Sequence, residues 1–497
     1  MSASLPAFNY AFAKHQGVVL LGVDDTGARA RVGLREDADP AALLEARRSL
    51  GVELEVEMLP RTAFDRRLSE LYADAALAGG DDFDLPGDLD ALAGDIPATA
   101  DLLDAQDDAP VIRLINGLIA EAARIGASDV HIESFESALV VRMRVDGVMR
   151  EALRLPGRIA PLLVSRVKVM ARLDIAEKRL PQDGRIGLSM GSKALDVRVS
   201  TLPARGGERV VMRILDKDQG TLTLDGLGLE PPVRAALERA LRVPNGIILV
   251  TGPTGAGKTT SLYAALAALN DGRRNILTVE DPVEYAIDGV GQTQVNARVG
   301  MSFAAGLRAI LRQDPDVVMV GEVRDPETAQ IAVQASLTGH LVLSTVHTND
   351  APGAVTRLRD MGVESFLLAS SLRLVLAQRL LRRLCKACRQ PLVDDPAAVR
   401  LLGPAAAGAT LYRAAGCAQC SHSGYAGRLG IHEALEIDEP MRQLIGAGAD
   451  EDALAAQAFT TAGRLGDAAR SAVLRGDTTL EEAMRVTRQE LQDHGGV

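Results

Sequence analysis

Gly252-Pro253-Thr254-Gly255-Ala256-Gly257-Lys258-Thr259 stands between an apolar run, Ile247–Val250, and a stretch of helical character from Thr259 to Leu269. It fits the pattern G-x-x-x-x-G-K-[ST] at every fixed position, in the strand–loop–helix setting where that pattern cradles phosphate. The glycines let the backbone curl tightly and aim N–H groups at phosphate oxygens. The new helix adds its positive N-terminal end, where Thr260 also sits. Lys258 supplies a point charge for the outer phosphates, and Thr259 offers its hydroxyl to Mg²⁺. The plain alternative is a glycine-rich turn that binds nothing, and the flanking strand and helix weigh against it. A nucleoside triphosphate with Mg²⁺ is the expected ligand.

Downstream, Asp316-Val317-Val318-Met319-Val320-Gly321-Glu322 reads as an apolar strand ending in an acid. Many phosphate-loop enzymes end this strand in Asp followed by Glu. Here Gly321 holds the Asp position and Glu322 remains. A carboxylate there can orient and deprotonate the attacking water; the alternative is a solvated Glu after a core strand. Glu280-Asp281-Pro282-Val283-Glu284 follows the strand Ile276–Val279 and is expected at the same sheet edge, where ligands bind in open α/β sheets. Glu280, Glu284 and Glu322 then share metal-water positioning. His340 and His347 bracket the apolar strand Leu341–Ser344. They are read as γ-phosphate sensors, against a structural role for each. Arg308, Arg312 and Arg324 in this region, with Arg198, Arg209 and Arg213 before it, are candidates to neutralise transition-state charge. Ordinary surface arginines are the alternative.

All four cysteines fall in two Cys-x-x-Cys pairs, Cys385/Cys388 and Cys417/Cys420. Four thiolates from two knuckles satisfy tetrahedral Zn²⁺ with no open position, so a structural site is expected within residues 385–424. Arg382, Arg383, Lys386, Arg389 and Arg428 make its surroundings basic, either as a solvated face or as a contact for acidic protein or anionic lipid.

The chain has 497 residues, long enough for several cores. The clearest seam is 73–108, with eleven Asp and no Lys or Arg, which reads as a flexible linker with a short helix possible around Leu89–Leu92. Before it, residues 1–72 suggest a small docking domain with strands near Val18–Val23 and Ala30–Leu34 and a helix near Ala41–Leu50. After it, Val111, Leu114, Ile115, Leu118, Ile119, Ala122 and Ala123 mark one helical face, and strands such as Ala138–Val145 and Leu195–Val199 fill out an α/β domain over 109–228. Residues 229–497 alternate strand and helix, as a parallel nucleotide-binding sheet does.

No apolar run is long enough to span a membrane, and the first thirty residues hold Lys14, Asp24 and Asp25 without a signal-peptide core. The net charge of −11, eight Phe, six Tyr and absence of Trp argue against a nucleic-acid translocase. A nucleotide-sensing scaffold that never hydrolyses is disfavoured by Lys258, Thr259 and Glu322 together.

Phosphate loop, acidic box, Gly321-Glu322 and two-histidine box, in this order, resemble the secretion ATPases that drive type II secretion and type IV pilus assembly. Gly126-Ala127-Ser128-Asp129-Val130-His131-Ile132-Glu133, Leu180-Pro181-Gln182-Asp183-Gly184-Arg185, Val197–Thr201 and Gly207–Arg213 resemble that family's second domain. The tetracysteine insertion points to assembly-type motors, and the opening Leu5–Lys14 to the type II secretion branch over its pilus-assembly rival. The resemblance implies a RecA-like phosphate-loop core preceded by a PAS-like α/β domain. It implies a cytoplasmic, commonly hexameric ring at the inner membrane, with ATP between each core and a neighbour's second domain. Glu322 would be the general base, with Arg198, Arg213, Arg308, Arg312 and Arg324 near the nucleotide, and the first domain would dock on an inner-membrane platform protein.

Overall fold

The computed structural model describes residues 16–23, 29–61, 109–190, 193–216, 223–392, 408–460 and 463–487, with isolated positions between them. Apart from Leu89, the acidic stretch 73–108 lies outside the described residues, and with it the short helix expected there. The chain forms two compact units, Met1–Asp218 and Gln219–Val497. Among the described residues no helix is long and apolar enough to cross a membrane.

The first unit begins with β1 (Val18–Val23), antiparallel to β2 (Arg29–Arg35), which runs parallel to β3 (Glu53–Leu59) across the helix Ala42–Leu50. That helix stops at Gly51, whose φ of 69° lets its N–H close on the Arg47 carbonyl. The helix Ala109–Arg124 follows, then β4 (Ala127–Ser134), β5 (Ala138–Val145), β6 (Val148–Pro156), the helix Ala160–Met170, and β7 (Gln182–Met190), β8 (Lys193–Ala204) and β9 (Gly207–Asp216). The sheet order is β6-β5-β4-β9-β8-β7, with every neighbour antiparallel.

Period-two alternation divides this sheet into two chemistries. Val130, Ile132, Val141, Met143, Val197, Val199, Val210 and Met212 are at most 1% exposed and share a core with Leu114, Ile115, Leu118 and Ile119 of the helix Ala109–Arg124. Burying one such side chain contributes roughly 1.5–3 kcal/mol, so the face holds the helix without help from propensity. The alternate positions carry charged residues, among them Asp129, Glu133, Arg142, Arg144, Arg198 and Arg213. Asp129 pairs in register with Arg213 on one side and Arg144 on the other, and Arg213 continues to Arg198 and Arg185.

The second unit is built on a seven-stranded sheet comprising β10 (Gly246–Thr251), β11 (Ile276–Glu280), β12 (Gly291–Gln294), β13 (Val317–Val320), β14 (Leu341–Val346), β15 (Leu372–Leu384) and β18 (Tyr425–Glu436). Its order is β12-β11-β13-β14-β10-β15-β18, parallel except for β18 against β15. Ile247 and Leu249 join one core with Val318, Val320 and Val375, while Ile248 and Val250 join another with Met319, Leu343 and Leu374. Both faces are covered, which is why these strands read as continuous apolar runs. Among the described residues, both units thus mix helices and strands. Between β15 and β18 lie β16 (Gln390–Leu392), its antiparallel partner β17 (Leu411–Arg413), and all four cysteines. Helices Glu439–Gly446, Glu451–Ala458, Leu465–Leu474 and Leu480–Val486 come last among the described residues.

Candidate functional site

Parallel strands β11, β13, β14 and β10 end at one edge of the sheet, and their following loops carry the candidate residues. Gly252 turns the chain out of β10 with a φ of 146°, and a Cβ there would lie 2.5 Å from the Gln378 backbone carbonyl oxygen. No side chain fits. Gly257, at φ 86°, starts the helix Lys258–Leu269, whose first turn presents Thr259 and Thr260 exposed. Lys258 folds back over the loop, donating to the Gly252 carbonyl at 2.7 Å. Burial lowers its ammonium pKa to about 8; Glu322 opposes that shift and Arg379 adds to it.

His347 stands beside Lys258. Its Nδ1 is 3.2 Å from the ammonium, and its Nε2 is 2.7 Å from Glu322 Oε1. An ammonium has only protons to offer, so Nδ1 must accept and Nε2 carries the hydrogen donated to Glu322. That tautomer is assigned from its partners. The other Glu322 oxygen lies 2.7 Å from Arg324 Nε. Lys258, His347, Glu322 and Arg324 therefore form one continuous polar chain beside the loop Gly252–Gly257.

The loops are stitched together from beneath. Ser344 and Thr345 hydroxyls donate to the Val320 and Gly321 carbonyls, both at 2.8 Å, tying the end of β14 to the strand that carries Glu322. The Thr348 N–H donates to the buried Thr251 hydroxyl at 2.9 Å, and Arg379 donates to the Asn349 carbonyl at 2.8 Å. Gln378 accepts from Ser261 Oγ at 2.7 Å and donates to the Ala256 carbonyl. The sequence does not single out Gln378, Arg379 or Thr348, because nothing local marks which residues reach partners that lie 122, 30 and 97 residues away along the chain.

Other candidates lie elsewhere. Glu280 is 3% exposed and sits inside a network: Tyr263 donates to it from the loop's helix, Thr278 Oγ1 donates at 2.6 Å, and Gln292 at 3.1 Å. Expected at the open sheet edge, its carboxylate instead braces helix against sheet. Burial, with Glu280 beside it, pushes the Tyr263 phenol far above its usual range, so it stays a donor. The Glu284 N–H donates to the same phenol oxygen at 3.2 Å. His340 precedes β14 and its Nδ1 lies 2.8 Å from the Ala335 carbonyl. Six strand residues, about 20 Å, separate it from the His347 end, so the two histidines do not converge within this core. Arg308 is paired with Glu327, and Arg312 donates to the Arg308 carbonyl at 3.0 Å. Arg198 and Arg213 belong to the first unit, where Arg213 Nε donates to Asp129 at 2.9 Å.

Cys385, Cys388, Cys417 and Cys420 place their sulfurs within 4.8 Å of one another. Neighbouring separations are 3.9 Å for Cys385–Cys417 and 3.8 Å for Cys388–Cys420 and Cys417–Cys420. A tetrahedron with Zn–S bonds of about 2.3 Å has edges of about 3.8 Å. A disulfide, at about 2.05 Å, does not fit. The N–H groups of Gly416, Cys417 and Gly424 point at sulfur from 3.2–3.3 Å, as suits thiolates.

Residues 104–485 match the family model described as type II/IV secretion system protein, and residues 5–72 match the model of an N-terminal domain of GSPII protein E. The chain is 55% identical to the type II secretion system protein E of Pseudomonas aeruginosa, over 97% of this chain and 96% of that protein. It is 54% identical to the type II secretion system ATPase E of Vibrio cholerae, over 90% of each. Among solved structures it is similar to the pilus retraction motor PilT with bound ADP, at 25% identity and a TM-score of 0.51, covering 76% of this chain and 98% of that one. It shares its fold with the Legionella pneumophila ATPase DotB, at 20% identity and a TM-score of 0.56, over 76% of this chain and 95% of that one.

Proposed function

This chain belongs to the type II/IV secretion system protein family, and on that premise we propose that it is the ATP-hydrolysing motor that powers type II secretion. The single observation that carries the chemistry is the polar chain from Lys258 through His347 to Glu322. It sets a phosphate-binding cation and a carboxylate at the ends of one imidazole. Lys258, the loop amides and the helix end would hold the triphosphate, Thr259 would bind Mg²⁺, and Glu322 would take the proton of the attacking water. His347 orients Glu322, and Arg324 holds the other carboxylate oxygen. The four cysteines would hold one structural Zn²⁺.

The match of residues 5–72 to a domain of GSPII protein E favours a type II partner over a pilus-assembly one. We read 1–72 as the part that docks on an inner-membrane platform protein, 73–108 as a linker, 109–228 as the second domain and 229–497 as the ATPase core. On this reading the protein would work in the cytoplasm, peripheral at the inner membrane. Arg198 and Arg213, on the charged face of the second domain, would complete the site of a neighbouring subunit in a ring, most simply a hexamer.

The test is hydrolysis by defined variants. Lys258→Ala should weaken triphosphate binding and abolish hydrolysis. Glu322→Gln should retain binding and turn over about 10²-fold more slowly or worse. Mixing Glu322→Gln chains with Arg213→Ala chains should restore part of the activity, since some interfaces then keep both groups. Normal turnover by Glu322→Gln would remove the base assigned here, and a mixture that stays inactive would remove the shared site.

A further inference from the structure

The phosphate loop of this chain is held from below by one residue on a strand remote in sequence. Gln378 is 2% exposed and lies midway along β15, next to β10 in the sheet. It touches the loop at three places. Its backbone carbonyl oxygen approaches Gly252 so closely that a Cβ there would sit 2.5 Å away. Its Nε2 donates to the Ala256 carbonyl, and its Oε1 accepts from Ser261 Oγ at 2.7 Å, in the first turn of the following helix. These contacts span the loop's entry, its middle and its exit.

A trans peptide unit points its C=O and N–H in opposite directions. Drawing the Ala256 carbonyl down to Gln378 therefore aims the Gly257 N–H the other way, away from the Gln378 side chain. Gly257 makes this possible, with a φ of 86°. Glutamine is suited because one amide supplies an acceptor for Ser261 and a donor for Ala256. A glutamate would face the carbonyl with an acceptor, and a leucine would leave a buried hydroxyl and a buried carbonyl unpaired. Ser261 and Ala256 are each 3% exposed, so water cannot take over.

We propose that Gln378 is a positioning residue for the hydrolytic reaction, fixing the peptide orientation that turns the phosphate loop's N–H groups toward the triphosphate. The proposal rests on the ATPase reading and names a residue that reading does not require. It acts through the loop rather than on substrate. Weaker positioning should therefore cost ground state and transition state alike, raising KM and Kd together while kcat changes little.

The experiment uses the full chain with a fluorescent ATP analogue, steady-state hydrolysis, and hydrogen exchange of the peptide spanning residues 250–262. Gln378→Leu and Gln378→Glu should raise Kd and KM by about tenfold or more, with kcat within about threefold. Exchange of the loop peptide should quicken while that of β13 stays unchanged. Ser261→Ala, the milder change, should shift Kd in the same direction, and Ser261→Thr, which keeps the hydroxyl, should restore it. Wild-type Kd and wild-type loop exchange in Gln378→Leu would overturn the inference, and so would a Kd raised with no change in loop exchange. Should either Gln378 variant not fold, Ser261→Ala against Ser261→Thr decides: equal Kd values for the two overturn it. Failure of the unsubstituted chain to bind the analogue would instead overturn the ATPase reading.

Discussion

His347 Nε2 lies 2.7 Å from Glu322 Oε1, while its other ring nitrogen lies 3.2 Å from the Lys258 ammonium. One imidazole thus links Lys258, the proposed phosphate-binding cation, to the proposed base. On the proposed reading, a charge arriving at Lys258 would act on the His347 ring and through it on Glu322. His347→Ala should lower turnover by about 10²-fold while leaving triphosphate binding within a few-fold of normal, measured by equilibrium titration. His340→Ala should leave turnover unchanged, because that ring is held at the other end of β14. Equal losses from both variants would show that the histidines act as a pair, contrary to their placement.

Lys258 makes binding sensitive to pH. Burial lowers its pKa to about 8 in the free protein. A polyanion beside the ammonium raises that value again, so binding must take up a proton when the free lysine is neutral. Calorimetry near pH 9, in two buffers of different ionisation heat, should show close to one proton taken up, and at pH 6.5 none from this group. Affinity should fall as pH rises above about 8, by up to tenfold per unit. Lys258→Arg, charged throughout, should flatten the profile.

The cysteine cluster should bind one zinc per chain. Metal analysis of protein purified without chelator checks this, and changing Cys385 and Cys388 to Ser should abolish it. Residues 385–424 should then become protease-sensitive while β10–β14 stay protected. Metal-free protein with an intact, protected knuckle would refute a structural zinc.

Glu482 anchors the last helix. It is 1% exposed and accepts from the Arg382 side chain and backbone N–H and from Arg485. Burial pushes its pKa up, but the hydrogen bonds from Arg485 and Arg382 outweigh that and bring it to about 2, from an ordinary 4.5. Because the folded value is the lower one, the carboxylate's stabilisation is present above about pH 4.5 and is lost as pH falls toward 2. Glu482→Gln should cost roughly 3 kcal/mol at neutral pH in denaturant unfolding, and the variant should be less sensitive to acid over that window.

Much of this was legible in the residues alone. Ile247–Val250, the glycines and Lys258-Thr259 specify strand, tight loop and helix through short-range rules, and the structure has them in that order. The cysteine spacing states its geometry just as directly, because two knuckles leave little choice of arrangement. The face Leu114–Ile119 and the alternation of Ala138–Val145 are also local, and each becomes the buried side of its element.

What the sequence determined by itself is therefore the chemistry available and the local form that carries it. Tertiary structure alone decided which residues meet. Glu280 and Glu322 both end apolar strands, yet one is buried under Tyr263 and the other faces His347. His347, but not His340, meets Lys258 and Glu322. Gln378 reads as an unremarkable polar position until the sheet order β14-β10-β15 lays it under a loop more than a hundred residues earlier. The physical reason is that spacing along the chain governs backbone hydrogen bonding and periodicity. Partners across the sheet depend on strand order and register, which long-range burial selects and no local pattern encodes.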